Sequence, residues 1–233
     1  YAERQGYLQR NPMQDTEVRP KIQKGSGARH ALSLETAHAL IELPTADEES
    51  GLAMRNALIF RVLLETGVRV SELCALDRAD IGLVDGHVLV RIRHGKGNKA
   101  RDVFLTMQTY QLLQDWQTNH RPAPWDKDSP DKRADAERAL LVTNRGRRMT
   151  PRTVQDICQA TAKRLPHDLA RQFHPHTLRH SMATLALSNG TADVVILQRL
   201  LGHESLATTG KYTDLIREDL IQAVQMNPVT GTR

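Results

Sequence analysis

The sequence predicts a mostly helical α+β domain that carries a small antiparallel three-stranded sheet. Three observations predict it. Residues 51–66 are apolar nearly all round (Leu52, Ala57, Leu58, Phe60, Val62, Leu63, Leu64), the pattern of a helix enclosed by a core. Residues 80–105 break into strand-like runs around a Gly95-Lys96-Gly97-Asn98 turn, where glycine supplies positive φ. Residues 174–213 return to an apolar helical pattern interrupted by glycine.

The elements follow in order. Residues 1–10 read as the end of a helix stopped by Asn11-Pro12, and the polar stretch 13–30, with Pro20, Gly25 and Gly27, suits an interdomain linker. Helices are expected over 33–43, 51–66 and 70–77, strands over 80–84, 87–93 and 99–105, and a helix over 107–119. Residues 120–138 mix prolines with balanced charge and read as an exposed loop. The apolar run Ala139 to Val142 leads into an arginine-rich turn, and Thr150-Pro151 starts a helix reaching about Leu165. Leu215, Ile216, Leu220, Ile221 and Val224 mark a terminal amphipathic helix. The domain is thus placed at 31–225, with a tail at 226–233, and no internal repeat is present.

A net charge of +5 and a pI of about 9.4 favour a polyanionic partner. The distribution says more. Arg91, Arg93, Lys96, Lys99 and Arg101 occupy residues 91–101, and Arg145, Arg147, Arg148 and Arg152 occupy 145–152, with no acid in either segment. Both are turn-like or element-start segments from which long basic side chains reach phosphates, so Arg93, Lys99, Arg101, Arg147, Arg148 and Arg152 are the candidate DNA contacts. An aromatic content of 4% argues against base-stacking platforms for single strands. Cys74 and Cys158 lack metal-type spacing and fall in apolar patterns, which suits reduced thiols and a cytoplasmic setting. No apolar run approaches membrane-spanning length.

The chemistry concentrates in a few residues. His176 and Arg179 stand three apart, so on a helix they share a face and reach one small anion. His203 follows Gly202, which can end a helix, and Tyr212 follows the short polar run Thr208-Thr209-Gly210-Lys211. Upstream, Arg69 comes just after the Gly67 break, with Glu72 one turn on, and Lys96 sits at the expected hairpin tip. Attack on a phosphodiester gathers negative charge on its oxygens, and arginines offer forked, permanently charged donors for them. Tyrosine, with a reference pKa of about 10, needs its proton removed before it attacks. His176 is the candidate base, His203 a donor to a non-bridging oxygen, and Lys96 the acid for the leaving hydroxyl. Glu72 is read as orienting Arg69, with plain helix capping as the alternative.

Taken together, these residues resemble the catalytic domain of the tyrosine recombinases, the phage-integrase and Xer-like family. Gly67-Val68-Arg69-Val70-Ser71-Glu72-Leu73 resembles its first arginine box, and Gly95-Lys96-Gly97-Asn98-Lys99-Ala100-Arg101 its β-hairpin lysine motif. His176-Thr177-Leu178-Arg179-His180 is similar to the His-x-x-Arg box. Leu201-Gly202-His203 with Thr208 to Thr213 is similar to the segment of the second histidine and the nucleophilic tyrosine. The likeness covers about residues 30–225 and keeps all six positions in order. It implies site-specific recombination or integration of duplex DNA, as in mobile genetic elements, through a 3′-phosphotyrosine and a free 5′-hydroxyl, with no cofactor, metal or ATP. It also implies homo-oligomers, dimer to tetramer, on DNA, and a core-binding domain preceding this stretch.

Three other readings compete. His174, His176 and His180 could ligate zinc, but no acid lies among them and Arg179 would repel a cation. The same transesterification could serve only to relax supercoils, as in type IB topoisomerases. Residues 181–211 could form a helix-turn-helix around Ser188-Asn189-Gly190-Thr191 in a catalytically silent DNA-binding protein.

Overall fold

The helix expected at 51–66 is the axis around which the rest is built. A computed structural model of the chain describes residues 31–42, 51–95, 100–190, 196, 197, 201 and 213–230. In it α2 (Gly51–Thr66) is buried at every position from Ala57 to Thr66, Arg61 and Glu65 included. It packs against α1 (Leu34–Glu42) and a later helix, α8 (Pro175–Ser188), as well as against elements of the sheet layer. α2 ends because Gly67 takes a left-handed φ of 62° while its N–H still reaches the carbonyl of Leu63 at 3.0 Å. The backbone conformation favours glycine there, and a Cβ would lie 2.0 Å from Met182 Cε, so the end of that side chain would have to move. α3 (Val70–Ala75) starts directly afterwards with Arg69 at its N-cap.

A 3-10 turn (Arg78–Asp80) leads to β1 (Ile81–Val84), β2 (His87–Ile92) and β3 (Arg101–Leu105), an antiparallel sheet in the order β1-β2-β3. Asp85 and Gly86 have φ of 51° and 78°, as a two-residue hairpin of the right twist demands. Val90 pairs with Ile81 on one side and Val103 on the other, and Ile92 opposite Arg101 is the last pair of the β2–β3 ladder. Along β2 the residues Val88, Val90 and Ile92 alternate into the core.

α4 (Met107–Asp115) is capped by the Thr106 hydroxyl, which accepts from Thr109 N–H at 3.3 Å. The expected single helix over 107–119 in fact continues as a π-helical turn, Trp116–His120, where buried Trp116 donates Nε1–H to the Gly51 carbonyl at 3.0 Å. The exposed loop expected at 120–138 is corrected in its second half: Pro130–Arg138 form helix α5 behind Ser129. Only Ala136 of α5 is buried, so no apolar stripe announces it. α6 (Pro151–Ala162) starts at Thr150-Pro151 as expected, and a short α7 (His167–Ala170) precedes α8.

The last helix, α9 (Thr213–Gln225), packs within its own chain against β3. Beyond it Asn227 Nδ2 donates to the carbonyls of Leu64 and Glu65 at 3.2 and 3.4 Å, satisfying the end of α2. The Asn227 side-chain oxygen accepts from Val229 and Thr230 N–H groups, and both residues are buried. Within the stretch expected to be a tail, Asn227, Val229 and Thr230 are buried, while Met226 is exposed. Cys74 and Cys158 are free and buried, and burial pushes both thiols up to about 12. No helix among the described residues is long and apolar enough to cross a membrane.

Candidate active site

The site begins where α2 gives way to α3. Arg69 has extended backbone (φ −70°, ψ 149°), and its N–H donates to Glu72 Oε2 at 2.8 Å, the return half of a capping box. Its guanidinium donates Nη1–H to Glu72 Oε1, also at 2.8 Å. Glu72 thus bonds both the backbone N–H and the guanidinium of Arg69. The carboxylate is almost wholly enclosed, its side chain 3% exposed, whereas that of Arg69 is 26% exposed.

Glu72 takes a second pair of bonds from Arg101 on β3, at 2.8 Å from Nη1 to Oε1 and 2.7 Å from Nη2 to Oε2. Burial opposes ionisation of Glu72. The bonds from Arg101 and Arg69, and the charge behind them, outweigh it and hold the carboxyl down at about 2. Arg101 Nε is buried and finds no acceptor among the described residues.

α8 brings the third arginine. His174 is its N-cap, with Nδ1 accepting Thr177 N–H at 3.2 Å, and Pro175 occupies the first turn. His176 is exposed on that turn, its ring 6.0 Å from that of His174 in an edge-to-face arrangement. One turn on, Arg179 donates Nη1–H to the Gly67 carbonyl and Nη2–H to the Leu201 carbonyl, the latter at 2.6 Å. Burial depresses Arg179 to about 10, and the neighbouring charge of Arg69 adds to this, followed by that of Arg101; Glu72 opposes them. At neutral pH it stays charged. Arg69, Arg101 and Arg179 set against the single carboxylate of Glu72 leave a local excess of positive charge, a setting for an anion.

Lys96, Lys99, His203 and Tyr212 lie outside the described residues, as does most of the stretch read as a helix-turn-helix. Leu201, whose carbonyl Arg179 holds, stands two positions before His203 in the chain. For the histidine cluster weighed as a zinc site, His174 Nδ1 is engaged in capping, and the described residues contain no group of three or more metal-type ligands.

The other basic residues expected as DNA contacts are each ion-paired within the chain. Arg148 donates to Asp77 at 2.5 Å, to both oxygens of Asp135 at 3.0 Å and to the carbonyls of Cys74 and Leu76. It thus ties the end of α3 to α5. Arg147 forks onto Asp128 at 2.5 and 2.6 Å and lies 4.1 Å from the Trp125 ring centre. Arg93 reaches Asp77 and Asp80, both at 2.8 Å, and Arg152 pairs with Asp156 at 3.0 Å on an exposed face. The pairings of Arg147 and Arg148 carry no local signal, because their partners lie 13 to 71 positions away, whereas Arg152 and Asp156 stand one helical turn apart.

A mostly helical domain with a small antiparallel sheet, presenting half-buried, scaffolded arginines from α3 and α8, defines the class. The phage integrase family matches residues 33–218, and the chain belongs to that family. The tyrosine recombinase XerC of Mycobacterium tuberculosis is 42% identical over 168 residues, 72% of this chain and 52% of that protein. XerC of Mycobacterium sp. (strain KMS) is 36% identical over 215 residues, 91% of this chain and 66% of the relative. The chain thus spans about half to two thirds of the length of these relatives. Among solved structures, XerA recombinase aligns at 28% identity with a TM-score of 0.57, over 86% of this chain and 60% of that one. XerH site-specific recombinase, in a pre-cleavage complex with its difH substrate, aligns at 25% identity and a TM-score of 0.57, over 82% of this chain and 49% of that one.

Proposed function

We propose that this chain carries the catalytic domain of a site-specific recombinase that cuts and rejoins duplex DNA through Tyr212. The observation that carries the reading is the gathering of Arg69 and Arg179 around one scaffold. Arg179 is bonded to the carbonyl of Gly67, two residues before Arg69, and feels its charge. Two guanidiniums held this way suit the non-bridging oxygens of one phosphate. Donors fixed in advance cost no reorganisation as charge develops, and losing one is worth about 100- to 1000-fold in rate.

In this reading the Tyr212 oxygen attacks phosphorus as its proton passes to His176. The bond from phosphorus to the 5′-oxygen breaks, and Lys96 protonates the departing alkoxide. His203 donates to a non-bridging oxygen. The phosphotyrosine link keeps the energy of the phosphodiester, so a 5′-hydroxyl from another strand reverses the step without ATP. The arginines supply the positive charge that a metal ion would otherwise bring. The partner is double-stranded DNA, engaged by two to four copies because one site cuts one strand, and the setting is cytoplasmic.

Incubation with a nicked suicide duplex tests this. A covalent peptide–DNA adduct should map to Tyr212, survive EDTA and vanish in Tyr212→Phe while binding persists. An adduct at any other residue, or none in the wild type, overturns the reading. Exchange between two sites, rather than relaxation of plasmids lacking a site, separates recombination from topoisomerase action.

A further inference from the structure

We infer that Arg101 is a positioning residue for the phosphate-binding arginines: by closing both Nη atoms on Glu72, it fixes the carboxylate that holds Arg69. The inference rests on the proposed function and assigns Arg101 a part other than the DNA contact expected from its place in a basic hairpin.

The geometry points inward. The Arg101 side chain is 15% exposed, and its two Nη atoms meet separate oxygens of Glu72 at 2.8 and 2.7 Å, a planar fork on a planar acceptor. Each oxygen is shared, because Oε1 also accepts from Arg69 Nη1 and Oε2 from the Arg69 N–H, both at 2.8 Å. Glu72 lies on the short helix α3, and with Arg69 as its only partner its side chain could pivot with the guanidinium it holds. Arg101 removes that freedom, since its own backbone is fixed opposite Ile92 at the end of the β2–β3 ladder. It therefore joins the sheet to the Arg69 turn, and it adds charge beside Arg179. A lysine would not substitute, because an ammonium is a point charge and cannot span both oxygens in one plane.

The test compares the wild-type chain with Arg101→Gln and Arg101→Lys on nicked suicide duplexes. One duplex carries an ordinary scissile phosphodiester. The other carries a methylphosphonate there, which lacks the negative charge that Arg69 answers. At saturating DNA, Arg101→Gln should form adduct on the phosphodiester up to about 100-fold more slowly than wild type, as a misplaced catalytic group does. On the methylphosphonate the same variant should come within a few-fold of wild type. Affinity should change little, and its dependence on salt should keep the wild-type slope. A slope smaller by about one with an unchanged rate at saturation would identify a phosphate contact and overturn the inference. Equal slowing on both duplexes would show general loss of structure and overturn it as well. If thermal melting shows Arg101→Gln unfolded, Arg101→Lys decides by the same comparison. A wild-type chain that forms no adduct on either duplex sinks the proposed function and this inference together, whereas an active wild type with the wrong variant pattern sinks the inference alone.

Discussion

The guanidinium of Arg179 donates to the carbonyl of Gly67, two residues before Arg69, so the second arginine of the site is fastened to the turn that presents the first. That turn has a left-handed φ of 62° at Gly67.

Gly67→Ala should therefore damage stability and chemistry together. The added methyl meets Met182 Cε at 2.0 Å in a backbone region that L residues rarely enter. We expect a loss of about 2–4 kcal/mol in urea denaturation and slower adduct formation at saturating DNA. In the Met182→Ala background, which carries its own cavity cost, Gly67→Ala should cost less than it does in the wild type, by the share due to the clash. An equal cost in both backgrounds would show that backbone strain accounts for the whole loss.

Two buried carboxyls set the pH dependence of stability, with opposite signs. Glu72 is held below its ordinary value of 4.5, at about 2, so its contribution is full above pH 4.5 and is lost as pH falls toward 2. The interval corresponds to about 3 kcal/mol. Glu65 is raised from 4.5 to about 7 by burial, against the bonds from Thr109 and Thr106 and the charge of Arg61. Its protonated form suits the fold, so its contribution is full below pH 4.5 and fades as pH rises through 7. Thermal melts of Glu65→Gln should lose the decline between pH 4.5 and 7. A parallel decline in the variant would place its origin elsewhere.

Arg148→Met should act on folding rather than on DNA. The change leaves Asp77 to Arg93 and Asp135 to Arg138 but removes the bonds that tie both, and the carbonyls of Cys74 and Leu76, to one guanidinium, which we expect to cost about 1–3 kcal/mol in denaturant titrations. The salt slope of DNA binding should match wild type. A slope reduced by about one would restore Arg148 to the DNA contacts.

Glu72→Gln keeps the shape of the carboxylate but leaves the guanidiniums of Arg69 and Arg101 facing a neutral amide. Adduct formation should fall about tenfold or more, with tight DNA binding retained. Unchanged cleavage would reduce Glu72 to a helix cap.

Much of this was legible in the sequence, for identifiable reasons. The continuous apolar face of α2 and the alternation along β2 are local patterns, and the structure follows them to within a residue or two. The spacing of Arg69 to Glu72 and of His176 to Arg179 lies within one helical turn, so proximity followed from α-helical geometry. Ser129-Pro130-Asp131 is a serviceable start signal for α5, but a helix that buries only Ala136 leaves no hydrophobic period. The ion pairs of Arg101, Arg147 and Arg148 are illegible for a different reason. A run of basic residues looks the same whether its charges face solvent or carboxylates, and Arg101 meets Glu72 across 29 positions of chain.

The hold of Asn227 on the last carbonyls of α2 bears on how the molecule can be handled. Trimming the chain after Gln225 would uncover those carbonyls and remove Val229 and Thr230 from a packed interior. Any change that displaces Asn227 or Thr230 would open the same seam.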